Sequence, residues 1–229
     1  MVTPGVNMAD IGTDHSYLPA YLVDEEIIPH AIAMDIGDGP LSQAKETITA
    51  LGLNDKIDLR LSDGLDALVP GEVQTVVIAG MGGQTIMQIM ERGAEKLKYI
   101  QELILSPQSE ITAVRAYLRE HQWQIWNEDL ICEDEKYYVV MKAYRNAFIM
   151  SSKVEDYIGP VLLKRRHPLL GQWMEREKKI QLEIMESLND AADSPENEKR
   201  IREVENKLQM LEVAITWYNR GQPGNTISI

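Results

Sequence analysis

The feature that most constrains this chain is a change of rhythm after residue 120. Before it, short apolar runs alternate with amphipathic stretches, the pattern of strands and helices taking turns. The strands read at Met8–Ile11, Ala31–Ile36, Ile57–Leu61, Val73–Ala79 and Leu103–Leu105, with helices starting near Leu18, Leu41, Gly83 and Ile111. Val76-Val77-Ile78-Ala79 and Leu103-Ile104-Leu105 contain no polar residue. Parallel strands covered on both faces have that composition. Two more strand-like runs then follow, Trp123–Cys132 and Lys136–Tyr144, with only Glu133-Asp134-Glu135 between them. A parallel return needs a crossover of about a dozen residues, so this last pair is antiparallel.

Five βα units closed by an antiparallel hairpin predict an α/β fold. The layout resembles that of class I methyltransferases, whose Rossmann-like, mostly parallel seven-stranded sheet ends in such a hairpin. Dehydrogenases instead repeat the βαβ pattern in their second half. Beyond a linker near Asn146–Ser152 the texture changes again. Ile201, Val204, Leu208, Leu211, Ile215 and Tyr218 recur at alternating spacings of three and four, the a/d seam of a coiled coil. Trp173, Ile180, Ile184 and Leu188 make a weaker stripe upstream, interrupted by Glu177. Asp190–Asn197 reads as the loop between the helices, with Ser194 as N-cap and Pro195 at the first helical position. The expected organisation is a sheet domain over 1–150 and a C-terminal α-helical, coiled-coil-like hairpin over 151–229.

Charge is divided unevenly between those parts. The formal net charge is −13, an unpromising total for a general nucleic-acid binder. Residues 1–150 hold 11 Lys and Arg against 23 Asp and Glu, whereas 151–229 hold 12 against 13. The tail is nearly neutral, with basic clusters at Lys164-Arg165-Arg166 and Lys199-Arg200. A single cysteine, Cys132, excludes an intramolecular disulfide framework. No apolar run approaches the roughly 20 residues of a membrane span, and Met1-Val2-Thr3-Pro4-Gly5 does not begin a secretory signal. The expected location is the cytoplasm, and a monomer is expected over a dimer.

The first strand leads into Asp10-Ile11-Gly12-Thr13-Asp14-His15-Ser16-Tyr17. The dinucleotide fingerprint G-x-G-x-x-G is absent, and Asp14 would face a pyrophosphate without a counter-charge. S-adenosylmethionine has no phosphate; it brings a sulfonium, an ammonium and a carboxylate, so carboxylates at Asp10 and Asp14 suit it better. Asp35 ends the second strand, 23 residues after Gly12, where an acid can accept from ribose hydroxyls; a helix-capping or loop carboxylate is the other reading. Asp63-Gly64 closes the third, where a carboxylate can accept from the adenine amino group; a simple turn is the other reading. Gly80-Met81-Gly82-Gly83 ends the fourth strand, and three glycines there read as a functional loop rather than as packing. Pro107-Gln108 after the fifth strand reads as an amide beside a nucleobase, or as a plain loop. His15, beside the cofactor turn, reads as a proton carrier or a ligand contact, with a structural or solvent-facing histidine as the alternative. No His, Cys, Asp or Glu set has metal-ligand spacing, and no G-x-S-x-G elbow occurs.

With these residues assembled, the chain resembles the bacterial tRNA (adenine-22-N1)-methyltransferase family, TrmK. The resemblance rests on Ala9-Asp10-Ile11-Gly12-Thr13-Asp14-His15-Ser16-Tyr17-Leu18-Pro19, Asp38-Gly39-Pro40, Asp63-Gly64-Leu65, Ile78-Ala79-Gly80-Met81-Gly82-Gly83, Leu105-Ser106-Pro107-Gln108 and Gly159-Pro160. It covers nearly the whole chain; where the family pattern has Pro-Asn, this chain has Pro107-Gln108. It implies methyl transfer from S-adenosylmethionine to N1 of adenine 22 in tRNA, leaving S-adenosylhomocysteine. It assigns cofactor binding to Asp10, Gly12, His15, Asp35, Asp63, Gly64 and Gly80, and makes Asp14 the catalytic candidate. Substrate contacts would come from Met81, Gly82, Gly83, Pro107 and Gln108, and from Lys164, Arg165 and Arg166 on the tail. Two other readings stay open: methylation of another RNA or a protein, and a non-catalytic S-adenosylmethionine-binding module whose coiled coil recruits a partner.

Overall fold

In the computed structural model, residues 1–145, 151–190 and 194–220 are described. The alternating region folds as β1 (Met8–Ile11), α1 (Tyr17–Asp24), β2 (Ala31–Asp35), α2 (Asp38–Ala50), β3 (Ile57–Leu61), β4 (Thr75–Met81), α3 (Gly83–Arg92), α4 (Ala94–Leu97), β5 (Glu102–Pro107) and α5 (Ile111–Glu120). The hairpin strands β6 (Trp123–Glu133) and β7 (Lys136–Arg145) complete one sheet in the order β3-β2-β1-β4-β5-β7-β6. β1 to β5 pair in parallel, and β7 runs antiparallel to β5. The α/β reading with an antiparallel end is therefore correct. Only Asp134 and Glu135 separate β6 from β7, and both take positive φ, as a tight two-residue hairpin turn demands.

Burial explains the apolar runs. All of β1 is buried, as are Val76, Val77 and Ile78 of β4 and Leu103, Ile104 and Leu105 of β5. One face packs Met8, Ala31, Ala33, Val77 and Ile104 against Ala20, Leu22 and Val23 of α1 and Ile48 of α2. The sequence-based ends needed small corrections. β2 stops at Asp35 rather than Ile36, and β4 continues through Gly80 to Met81. Gly80 (φ +75) is the bulge in that extension: Ala79 pairs with Ser106 and Met81 with Pro107.

The chain forms two compact units, 1–128 with 138–149, and 129–137 with 150–229. The second unit thus takes in the tip of the β6–β7 hairpin as well as the tail. The tail carries α6 (Lys153–Ile158), α7 (Pro160–Arg165), α8 (Leu170–Asn189) and α9 (Pro195–Asn219). Most of the expected linker, residues 146–150, and residues 191–193 of the expected loop lie outside the described residues. Ser152 caps α6 in a reciprocal capping box with Glu155, and Ser194 caps α9 through the Asn197 amide, ahead of Pro195.

α8 and α9 form an antiparallel hairpin. A Cβ on Gly171, at the start of α8, would lie 3.1 Å from Tyr218 near the end of α9. At the other end, Asn197 Nδ2 donates to the Leu188 carbonyl at 2.9 Å. On α9 the expected seam holds: Val204 and Leu211 are buried, and Ile201, Leu208, Ile215 and Tyr218 half-buried. On α8 it does not. The inward stripe is Leu170, Met174, Glu177, Gln181, Ile184 and Leu188, while Ile180 is 37% exposed. Glu177, read as an interruption, belongs to the stripe because its carboxylate accepts from Tyr157 Oη (3.1 Å) and Gln181 Nε2 (2.8 Å). Hydrogen bonding within α8 and from α6 overrode the apolar pattern. Among the described residues no helix is long and apolar enough to cross a membrane, and no group of three His, Cys, Asp or Glu side chains could hold a metal.

Candidate active site

The sheet order reverses between β1 and β4, since the chain moves outward through β2 and β3 and then starts again on the other side of β1. Parallel sheets open a ligand crevice at the carboxyl ends beside such a reversal. Here a cavity of about 550 Å³ opens there, lined by Ile11, Gly12, Asp35, Ile36, Ser62, Asp63, Gly64, Met81, Thr85, Gln88, Ile89, Glu91 and Arg92.

At the β1 end the chain turns sharply. Gly12 (φ +74), Asp14 (φ +50) and Ser16 (φ +57) all take left-handed conformations, and Gly12 N and Thr13 N donate to the Met34 carbonyl at 2.8 and 3.0 Å. Asp10 lies beneath this turn, 6% exposed, accepting from Thr13 Oγ1 at 2.7 Å. Burial pushes its carboxyl up to about 6; the Thr13 hydroxyl opposes that and the Asp35 charge reinforces it. A Cβ at Gly12 would lie 2.1 Å from the Met81 methyl, so the side chain of Met81 rests against this glycine.

Asp35 occupies the middle. Its two oxygens accept from Gly37 N (3.0 Å) and Asp14 N (3.3 Å), which aims the carboxylate across the cavity mouth. Ile36, directly after it, is 70% exposed and forms part of the wall. At the β3 end Asp63 meets Arg92 through a two-fold ion pair of 2.8 and 2.7 Å. That guanidinium holds the Asp63 carboxyl below its ordinary range.

Of the residues expected to bind the cofactor, Gly12, Asp35, Asp63 and Gly64 line the cavity, and so does Met81. Asp10, His15 and Gly80 are outside its lining. Asp14 is also outside it, with its side chain 69% exposed and 3.7 Å from His15 Nε2. The His15 ring stacks on Tyr17. Gly82 is the N-cap of α3, and Gly83 is buried with its amide donating to the Ser109 carbonyl at 3.2 Å. A Cβ at Gly83 would meet that carbonyl oxygen at 2.5 Å, so this glycine is required for packing, contrary to the sequence reading. Pro107 is buried, and the exposed Gln108 donates its backbone N–H to the Met81 carbonyl at 2.8 Å. Lys164, Arg165 and Arg166 are exposed in the second unit, where Arg166 reaches the Arg220 carbonyl. The sequence reading missed Ile11, Ile36, Ser62 and the α3 residues Thr85, Gln88, Ile89, Glu91 and Arg92. An apolar residue just past an acidic strand end was a legible signal for Ile36. Nothing local marked Arg92.

The lining suits S-adenosylmethionine better than a phosphorylated cofactor. Three carboxylates, Asp35, Asp63 and Glu91, face a single guanidinium already taken by Asp63. A pyrophosphate would meet net negative charge, whereas a donor with cationic groups and hydroxyls would meet acceptors.

A family model described as tRNA (adenine(22)-N(1))-methyltransferase, TrmK, matches residues 8–213. The chain belongs to this family. The tRNA (adenine(22)-N(1))-methyltransferase of Bacillus subtilis (strain 168) is 35% identical over 217 residues, covering 92% of this chain and 91% of that protein. The crystal structure of the B. subtilis M1A22 tRNA methyltransferase TrmK superposes with a TM-score of 0.86 at 33% identity, covering 93% and 94% of the two chains. Streptococcus pneumoniae Sp1610 in complex with S-adenosyl-L-methionine gives 0.80 at 31%, again covering 93% and 94%. M. capricolum TrmK in complex with S-adenosyl-homocysteine gives 0.81 at 26%, covering 96% and 95%. The TrmK member described here is accordingly an S-adenosylmethionine-dependent tRNA (adenine-N1)-methyltransferase.

Proposed function

We propose that the cavity holds S-adenosylmethionine with its ribose at Asp35, its adenine between Ile36 and α3, and its amino group at Asp63. The observation that carries this reading is the spacing of acceptors along the strand ends. Asp35 is aimed by two backbone amides, and Asp63 follows β3, the neighbouring strand. When bound, S-adenosylmethionine supplies an electrophilic methyl group on a sulfonium.

The protein's own part is alignment and charge. The Gly80–Gly82 turn and Gln108 form the shelf for the target adenine, with the Met81–Gln108 hydrogen bond setting the distance between them. Gly83 supports that shelf from α3. Asp14 is the catalytic candidate: its open carboxylate accepts from the adenine N6 amino group, enriches N1, and balances the positive charge left there after transfer. Holding both reactants in place is worth about 7–11 kcal/mol in favourable cases. The target base must leave its stack first, at a cost of a few kcal/mol.

Asp10 and His15 support the first turn beside the donor. Lys164, Arg165 and Arg166 would contact tRNA phosphates, giving the tail a recognition role and tRNA binding a steep salt dependence. We read the protein as a cytoplasmic monomer. The test is methyl incorporation from labelled donor into unmodified tRNA transcripts, with the product mapped. One-methyladenosine at position 22 is expected, and Asp14→Asn should lower turnover by about a hundredfold while donor affinity is kept. Turnover within a few-fold of wild type would remove Asp14 from the mechanism.

A further inference from the structure

The Asp63–Arg92 pair is built with more care than stability requires. Both carboxylate oxygens accept from the guanidinium, at 2.7 and 2.8 Å, although both side chains are about half exposed. Exposed ion pairs of this kind add little to folding. Yet several features serve the contact. Gly64 (φ +60) has no side chain where a Cβ would lie 3.0 Å from Ile89 and 3.5 Å from Arg92 Nη2. Its bareness lets α3 approach closely enough for Arg92 to reach. One turn beyond, Lys96 donates to the Leu65 carbonyl at 2.9 Å and to the Asp66 carbonyl. Two cations, on α3 and α4, thus hold the loop that carries Asp63.

A guanidinium fork takes one lone pair from each carboxylate oxygen and leaves another free. An amino group can therefore donate to Asp63 without displacing Arg92. A 6-oxo purine presents an acceptor at that position, and its nearest proton sits on the adjacent ring nitrogen. An unrestrained carboxylate could swing to reach that proton; a clamped one cannot.

We infer that Arg92 is a positioning residue that fixes the Asp63 carboxylate and so makes the donor pocket select a 6-amino over a 6-oxo purine. The inference rests on the reading that Asp63 faces the adenine amino group. Binding of S-adenosylmethionine and of S-inosylmethionine to the full chain, measured by calorimetry at neutral pH, tests it. Wild type should favour the amino donor by about tenfold or more, the scale of one hydrogen bond to a charged group. Arg92→Met should bring the two donors within about threefold, and Arg92→Lys, a point charge without a fork, should fall between. Preference lost in Asp63→Asn but intact in Arg92→Met, with both donors weakened equally, overturns the role of Arg92 and leaves Asp63 in place. No preference in wild type, unchanged in Asp63→Asn, removes the Asp63 reading and the inference with it.

Discussion

Asp10 and Asp63 are the same residue at the ends of two strands of one sheet, yet the two ends of the cleft treat them oppositely. Asp10 is sealed beneath the β1 turn with a hydroxyl partner and another carboxylate nearby, and its proton affinity rises. Asp63 stands open to solvent, clamped by a guanidinium, and its proton affinity falls. The difference comes from what surrounds each carboxylate. A buried carboxylate shapes the backbone; an open one with spare lone pairs is available to a ligand. Asp35 lies between them, its negative charge opposing ionisation of Asp10 on one side while its carboxylate lines the cavity on the other.

Removing that link should have the largest effect. Asp35→Ala deletes an acceptor for two ribose hydroxyls and frees the amides of Gly37 and Asp14. Donor affinity should drop by about a thousandfold in calorimetry, from two charge-assisted bonds of about 2 kcal/mol each. A drop under tenfold would take the ribose away from Asp35. The milder Asp35→Asn should also move the Asp10 titration down toward its ordinary value, because a neighbouring negative charge is gone.

A next test separates the two ends by pH. Asp10 titrates near 3.8 when unfolded and near 6 when folded, so between those values the folded chain binds the extra proton. Stability therefore declines as pH rises from about 4 to about 6 and stays at the lower level above. Asp10→Asn keeps an acceptor for Thr13 and removes the charge. It should gain up to roughly 3 kcal/mol over wild type above pH 6 and almost nothing below pH 4. Denaturant unfolding at the two pH values checks this, and an equal difference at both would break the comparison. The smallest expected effect is at the β3 end: Gly64→Ala should cost about 1 kcal/mol, because φ is positive and Ile89 must shift. The Ile89 shift would carry the end of α3, and with it Arg92, away from Asp63, so preference for the amino donor should weaken; preference unchanged would mean that Arg92 adapts.

Much of the cleft was legible because its parts are local. Gly12, Asp35 and Asp63-Gly64 each sit at the end of a strand-like segment, and strand ends of a parallel sheet share one edge. What stayed hidden depends on approach between distant segments. The need for Gly83 comes from the Ser109 carbonyl, 26 residues on. Arg92 matters only because α3 packs beside the loop after β3. On α8, apolar periodicity chose Ile180 over Gln181, since a pattern of side chains cannot show that Glu177 would offer a buried amide its partner.

By itself, then, the sequence determined the order and type of elements, the antiparallel end of the sheet, and the set of carboxylates at the strand ends. Apolar periodicity and turn length act within a few residues, so they can be read directly along the chain. Only the tertiary structure decided which carboxylate is buried and which is clamped, which glycines serve packing, and which face of α8 turns inward. Those outcomes depend on desolvation and on contacts across tens of residues, and the same Asp or Gly gives opposite results in different surroundings.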